Sequence, residues 1–151
     1  MTGRGGTDNA FQNALTYTCD LAAAREITVL IEPINLRDVA GYHLSTTDRA
    51  ESNIDAVGKP NLKLMFDAWH LQVMKGDLIN SVARLLPKIE HTQIAGGPDS
   101  GESDQGEVDY AFPLKDVADL GWYAPIGAEF KPLGSSTSEG LGCLSDLQEV
   151  T

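Results

Sequence analysis

Basic residues and cysteines are scarce in this 151-residue sequence, and each shortage excludes a class of function. The chain has 11 Lys and Arg residues against 22 Asp and Glu residues, which gives a net charge of −11. Nucleic acids and anionic membranes both select proteins with basic surfaces. We therefore expect neither of them as a partner.

The two cysteines, Cys19 and Cys143, lie far apart and form neither a CxxC motif nor a metal-binding spacing. This usage is typical of reduced thiols in the cytosol. No apolar run is long enough to cross a bilayer, and the first residues lack the apolar core of a signal peptide. A cytoplasmic location is the expectation. The glycine-rich start, MTGRGGT, also lacks the preceding strand and the lysine of a phosphate-binding loop.

Length and composition indicate a globular protein. A hydrophobic content of 42% and a charged content of 22% are ordinary for this class. A chain of this length buries a sizeable core. We expect one domain over residues 1–151.

Four short segments predict the strands of a parallel sheet. The first, ITVLIEPIN at Ile27–Asn35, is continuous and rich in β-branched residues, which is typical of a strand buried on both faces. Glu32 lies where this strand meets the following loop. The other three predicted strands are Leu62–Asp67, Ile89–Ile94 and Pro125–Glu129.

The segments before and between these strands have apolar residues at helical spacing. They predict helices that carry the apolar residues Phe11, Leu15, Cys19 and Ala22; Ala50, Ile54 and Val57; Leu78, Val82 and Leu85; Val117 and Leu120; and Leu144, Leu147 and Val150. Alternating strands and helices indicate an α/β fold with a parallel sheet and right-handed crossovers.

Some boundaries follow from capping residues. Thr7 or Asp8 is expected to cap the first helix, and Ser45 with Asp48 resembles a capping box. The segment AWHLQVMKGD after the second strand is expected to form a short helical turn at most. Two polar segments, Ala95–Asp109 and Gly134–Gly142, are predicted loops; the first is either solvated or closes over a ligand.

An oxygen-bearing side chain lies at or near the end of each predicted strand: Glu32, Asp67, Gln93 and Glu129. In β/α proteins the active-site residues lie at the carboxyl ends of the parallel strands. Four oxygen ligands suit Mg²⁺ or Mn²⁺ better than Zn²⁺. Three carboxylates would repel one another strongly in a pocket without a cation. They either hold a metal ion or do not converge.

Each of these residues also has a purely structural interpretation. Glu32 is equally consistent with a solvated loop carboxylate, and Asp67 with a cap on the turn at Trp69 and His70. His70 and His91 are consistent with substrate contacts, with groups that orient a ligand, or with ordinary half-buried histidines.

Several motifs closely resemble the hydroxypyruvate isomerase family, a branch of the xylose-isomerase-like TIM barrels. They occur in the family's order from about Asn9 to the C-terminus: LIEPIN, PNLKLMFDAWHLQ, HTQIAG, GEVDY, and GAEFKP followed by GLG. The resemblance implies a (β/α)₈ barrel, of which this chain supplies the last four strands. MTGR at the start resembles the segment after the family's fourth strand. The expected fold is therefore a half-barrel of four parallel strands with flanking helices, the C-terminal half of the family's barrel.

The resemblance also implies roles for individual residues. Glu32 and Glu129 become the proton donor and acceptor pair, and Glu32, Asp67, Gln93 and Glu129 become the ligands of Mg²⁺ or Mn²⁺. The implied reaction interconverts hydroxypyruvate and tartronate semialdehyde through an enediolate. The implied substrate-binding residues are His70, His91 and Lys131, where Lys131 replaces the family's usual arginine.

Three other interpretations stay open. The substrate of the same chemistry could be a 2-oxo-tetronate or a free ketose. The chain could instead be an inactive fragment that acts only by binding or association. The endonuclease branch of the superfamily is disfavoured, because its zinc cluster needs many histidines and this chain has three. In each case the exposed strand edges of a half-barrel favour a homo-oligomer.

Overall fold

The computed structural model describes residues 7–122, 124–145 and 147. Its helices are α1 (Asp8–Ala23), α2 (Thr47–Val57), α3 (Ala68–Met74), α4 (Leu78–Leu85), α5 (Ala111–Asp119) and α6 (Thr137–Gly140). Its strands are β1 (Val29–Ile31), β2 (Leu62–Asp67), β3 (Ile89–Ile94) and β4 (Ile126–Ala128). Two short 3₁₀ helices span Leu86–Lys88 and Leu141–Leu144.

The four strands form one parallel sheet in the order β1-β2-β3-β4. Strand order follows chain order, so each crossover returns beside the strand it left. This confirms the predicted half-barrel of parallel strands with flanking helices. The register pairs Asp67 with Gln93, and Gln93 with Gly127, so the carboxyl ends of three strands lie in one row.

The core lies between the helices and one face of the sheet. Leu62, Leu64 and Phe66 alternate along β2 and are fully buried, whereas the intervening Lys63 and Met65 are half-buried. Side chains of a strand alternate between its faces, so the helices cover one face of the sheet and the other is more open. His91 and Gln93 share the more open face, as predicted.

Strand β1 is shorter and less buried than its sequence predicts. It covers Val29–Ile31, and Val29 and Leu30 are half-buried. The prediction of burial on both faces is wrong because β1 lies at an edge of the described sheet. Apolar composition alone does not distinguish an edge strand from a central one.

Three helix predictions also need correction. Helix α2 is capped by Thr46, whose hydroxyl accepts from the Arg49 N–H, and not by Ser45. Helix α3 has seven residues, more than the expected turn. Leu120 is exposed because it follows the last residue of α5 as its C-cap.

The helix predicted around Leu144, Leu147 and Val150 falls largely outside the described residues, but the loop predicted before it is wrong in part. Helix α6 lies within the predicted loop Gly134–Gly142, and Leu144 ends a 3₁₀ helix. Leu147 packs against the core, as predicted. Val150 lies outside the described residues.

The described helices include none that is long and apolar enough to span a membrane.

Candidate active site

A cleft of about 320 Å³ opens at the carboxyl ends of the strands. The residues that line it include Asp67, His70, Ser100, Glu129 and Lys131. Ser100 belongs to the long segment after β3, and it is buried. Its carbonyl accepts a hydrogen bond of 2.6 Å from the Lys131 N–H. The segment is therefore packed into the molecule beside the cleft. Of the two predicted alternatives, the fully solvated loop is wrong.

Glu32, Asp67 and His70 converge beside this cleft. One carboxylate oxygen from each acid and one imidazole nitrogen lie within 4.8 Å of one another. The Glu32 Oε1 to His70 Nε2 distance is 3.6 Å. Glu32 follows the last residue of β1, and Asp67 is the last residue of β2. The ends of adjacent parallel strands thus bring together residues that are 35 positions apart in sequence.

Asp67 has the structural role that its sequence position predicted. Its Oδ1 accepts hydrogen bonds from the backbone N–H groups of Trp69 (2.8 Å) and His70 (3.1 Å) and so caps α3. Burial raises the pKa of Asp67, and the His70 side chain and the two cap bonds oppose that shift. Capping fixes the carboxylate and also places His70 one turn away on the same side as the cleft.

The carboxyl group of Glu32 is buried deeply enough for its pKa to shift strongly. The pKa of Glu32 is raised to about 7, mostly by burial and also by the negative charges of Asp67 and Glu129. Its Oε1 is buried and has no hydrogen-bond partner among the described residues. A buried carboxylate oxygen without a donor is costly unless a cation or a ligand satisfies it.

Gln93 and Glu129 lie further along the same row of strand ends. Gln93 Oε1 is a second buried oxygen that lacks a partner within the described part of the chain. Glu129 follows β4, is exposed, and donates its N–H to the Ile94 carbonyl. Glu129 acts on Glu32 and Asp67 through its charge, but it is not part of the 4.8 Å cluster.

The predicted substrate-binding residues occupy different places. His70 and Lys131 line the cleft. His91 lies beside Gly127 on the face that carries Gln93, and a Cβ at Gly127 would be 3.1 Å from His91 Nε2. His91 is not among the residues that line the cleft. The functional roles of all the predicted site residues stay predictions.

Sequence reasoning missed Asn35, which is fully buried and contacts His70. The Asn35 side-chain nitrogen lies 2.7 Å from His70 Nδ1. Its position three residues after Glu32, within LIEPIN, was the only available signal. Burial lowers the pKa of His70, against the opposing effect of Asp67, Asp38 and Glu129.

The donor set fits a divalent cation. Two acidic residues approach each other closely, and two buried oxygens, on Glu32 and Gln93, lack donors in the described structure. Carboxylate and amide oxygens are ligands that Mg²⁺ and Mn²⁺ accept. A cation would also offset the repulsion that raises the pKa of Glu32.

The parallel strands, their flanking helices and the cleft at the strand ends define a β/α-barrel type of protein. The family described as xylose isomerase-like TIM barrel matches residues 2–147, and the chain belongs to this family.

Named relatives support this assignment. The chain is 42% identical over 130 residues to a 2-oxo-tetronate isomerase of Cupriavidus necator, covering 86% of this chain and 50% of the relative. It is 39% identical over 127 residues to the hydroxypyruvate isomerase of Escherichia coli, covering 84% and 49%. The chain therefore spans about half the length of the curated relatives it matches.

A solved structure is similar to this chain over about half of its own length. The crystal structure of an AP endonuclease, family 2, from Brucella melitensis superposes with a TM-score of 0.87 and 32% identity. The match covers 92% of this chain and 54% of that chain.

Proposed function

We propose that the protein is an isomerase that interconverts hydroxypyruvate and tartronate semialdehyde by metal-assisted proton transfer. The observation that carries this proposal is the convergence of Glu32, Asp67 and His70 beside the cleft at the strand ends. The similarity to a hydroxypyruvate isomerase supports the substrate, and the expected cytoplasmic location is compatible with it.

The proposed ligands of the cation are Glu32, Asp67, Gln93 and Glu129, with Mg²⁺ or Mn²⁺ as the metal. When bound, the ion would supply Lewis acidity to the carbonyl and hydroxyl oxygens of an α-hydroxy ketone. The buried oxygens of Glu32 and Gln93 support their assignment. The electrostatic effect of Glu129 on both acids supports its place near the same centre.

Proton transfer is assigned to the two glutamates. One carboxylate removes a proton from the hydroxymethyl carbon of hydroxypyruvate, which forms the enediolate. The pair then returns a proton to the former carbonyl carbon, and the hydroxyl proton moves to the new alcohol oxygen. Glu32 follows β1 and Glu129 follows β4, which are the two outer strands of the sheet. The two carboxylates are therefore proposed to reach the substrate from opposite edges of the sheet.

His70, His91 and Lys131 are proposed to bind substrate. His70 and Lys131 line the cleft, which supports these two. The Lys131 ammonium matches the charge of a substrate carboxylate but lacks the bidentate geometry of arginine. The support for His91 is its position on the same strand face as Gln93.

A second candidate is the isomerisation of a 2-oxo-tetronate, which the 42% identical relative favours. Epimerisation of a free ketose uses the same enediolate chemistry and is the third substrate to test. DNA is disfavoured as a substrate by the net charge of −11.

A substrate panel tests the proposal directly. The purified protein, supplied with Mg²⁺ or Mn²⁺, is incubated with hydroxypyruvate, a 2-oxo-tetronate or a ketose, and products are followed by NMR. We expect hydroxypyruvate to give the highest kcat/KM and a chelator to abolish turnover. A higher kcat/KM on a 2-oxo-tetronate would transfer the assignment to that substrate. No turnover of any substrate by folded protein would identify an inactive half-barrel.

A further inference from the structure

The imidazole of His70 lies between two polar groups of the first strand's end. Its Nε2 is 3.6 Å from Glu32 Oε1, and its Nδ1 is 2.7 Å from the side-chain nitrogen of Asn35. Asn35 is fully buried, so its amide has few alternatives to these contacts. Which imidazole nitrogen carries the proton decides whether His70 faces Glu32 as a donor or as a ligand.

Asp38 fixes the orientation of the Asn35 amide. The backbone N–H of Asp38 donates to Asn35 Oδ1 at 2.9 Å, and a backbone N–H is always a donor. The oxygen of the amide therefore points to Asp38, and the NH₂ group occupies the other position. This NH₂ group donates one hydrogen bond to Asp38 Oδ2 at 3.0 Å, and its second hydrogen is directed to His70 Nδ1.

The backbone of Asn35 supports the same assignment independently. Its N–H donates to His70 Nδ1 at 3.4 Å. Two donors thus converge on Nδ1, and a nitrogen that accepts hydrogen bonds cannot carry a proton itself. In the neutral imidazole the proton must then be on Nε2, the nitrogen that faces Glu32.

We propose that Asn35 is a positioning residue that holds His70 in the tautomer protonated at Nε2, so that His70 presents an N–H donor to the site and is not a metal ligand. The inference rests on the proposed function for the identity of the site, but the hydrogen bonds that carry it do not. A protonated ring nitrogen has no lone pair for a cation. His70 is thereby excluded from the ligands although it lies within 4.8 Å of the two acids.

This arrangement gives the site a chemical function for His70. At 3.6 Å the Nε2–H is too far from Glu32 Oε1 for a direct hydrogen bond. The donor is therefore available to a substrate oxygen in the cleft that His70 lines. A neutral donor stabilises negative charge that develops on such an oxygen, and it does so without a proton transfer of its own.

Histidine ¹⁵N NMR of the protein tests the tautomer without any activity measurement. The three histidines give three sets of ring signals, and a His70→Gln variant identifies those of His70. We expect Nδ1 of His70 to resonate as an unprotonated nitrogen and Nε2 as a protonated one. A proton on Nδ1 in the unsubstituted protein would overturn the proposal, whether or not the protein is an isomerase.

Zinc provides a demanding probe, because it is diamagnetic and favours imidazole nitrogen more than Mg²⁺ does. The same spectrum is recorded after Zn²⁺ is added to the protein. Retention of the Nε2 proton supports the exclusion of His70 from the ligands. Loss of that proton, together with a shift of the Nε2 signal, would show that His70 binds metal and would contradict the proposal.

The role of Asn35 itself is tested with Asn35→Ala, and with Asn35→Ser if the alanine variant does not fold. Both remove the side-chain donor at 2.7 Å and leave only the longer backbone N–H contact of 3.4 Å to Nδ1, so we expect the His70 signals to move toward a mixture of the two tautomers. Asn53→Ala is the matched control, because Asn53 is equally buried but contacts Arg49 and Gln12 instead. An unchanged single tautomer in a folded Asn35 variant would show that the backbone N–H of residue 35 is sufficient, and it would overturn the positioning role of the Asn35 side chain.

Discussion

Glu32 illustrates how the strand ends create reactivity. The carboxylate follows an edge strand, is partly removed from water, and lies near the negative charges of Asp67 and Glu129. Burial and like charge both disfavour ionisation. The same features that make the ionised group costly in the metal-free protein make it a good ligand for a cation.

Metal affinity should therefore depend on pH. The pKa of Glu32 is raised from its ordinary value of 4.5 to about 7, so below pH 7 a cation must displace a proton from this carboxyl. We expect Mn²⁺ affinity, measured by calorimetry, to be near its plateau above pH 7 and to fall by up to about tenfold per pH unit below it. Equal affinity at acidic and alkaline pH would contradict the assignment of Glu32 as a ligand.

Lys131 provides a gain-of-function prediction. It lines the cleft, and its backbone is fixed by the hydrogen bond to the Ser100 carbonyl. An arginine at this position can bind a substrate carboxylate with two parallel hydrogen bonds. We expect Lys131→Arg to lower the KM for hydroxypyruvate by about threefold to tenfold, with little change in kcat.

The control for this prediction is Lys115→Arg, because Lys115 pairs with Asp119 on the exposed surface of α5. It should leave the KM unchanged. A Lys131→Arg enzyme with an unaltered or higher KM would place the substrate carboxylate elsewhere.

At the scale of elements, β2 organises the molecule. It pairs with β1 on one side and β3 on the other, and it ends in the residue that caps α3. One strand therefore supplies the centre of the sheet, part of the core and one acid of the site.

Leu64 is the residue of β2 most suited to a stability test, because it is fully buried. We expect Leu64→Ala to lower the free energy of unfolding by about 2–5 kcal/mol, measured by urea denaturation, because it leaves a cavity between sheet and helices. Leu21→Ala on the exposed surface of α1 should change it by less than about 0.5 kcal/mol. Equal losses in the two variants would contradict the placement of the core.

The elements also show what the sequence could predict. Strands β2 and β3 have the predicted bounds, since each is a short segment that begins after a turn-forming proline region and ends in or beside an oxygen-bearing side chain. Helix α6 was missed because its residues, TSEG, have the composition of a loop. The sequence predicted Ser45 as the cap of α2 in place of Thr46, because two adjacent hydroxyl residues satisfy the same local pattern.

The candidate site was predictable only in part for a related reason. The strand-end pattern predicts that Glu32, Asp67 and Glu129 come together; Glu32 and Asp67 do so, whereas Glu129 is not part of the 4.8 Å cluster. The contact of Asn35 with His70 joins residues 35 positions apart and has no local pattern. Pairings of this kind depend on strand register and helix position, which periodicity does not determine.

For the whole molecule, the exposed edges of the sheet are the central structural fact. Within the described residues, β1 and β4 each have a neighbouring strand on one side only. A closed barrel of this family type has eight strands and no edges. Unpaired parallel edges favour pairing with another chain.

We therefore expect the protein to self-associate, with sedimentation that depends on protein concentration. Leu30→Lys places a charge on the edge strand β1 and should shift the distribution toward the monomer. Leu21→Lys on α1 adds the same charge to an exposed helix surface and should not. A strictly monomeric wild-type protein would contradict this expectation.

Proton transfer by the strand-end glutamates is tested by the turnover of hydroxypyruvate by the wild-type protein and by a Glu129→Gln variant, with Mg²⁺ or Mn²⁺ present. Glu90→Gln is the matched control, because Glu90 is an exposed glutamate on β3. We predict turnover by the wild type and the control, and a loss of about 10²-fold to 10⁴-fold in Glu129→Gln. Full activity in Glu129→Gln would contradict the assignment of proton transfer to the two strand-end glutamates.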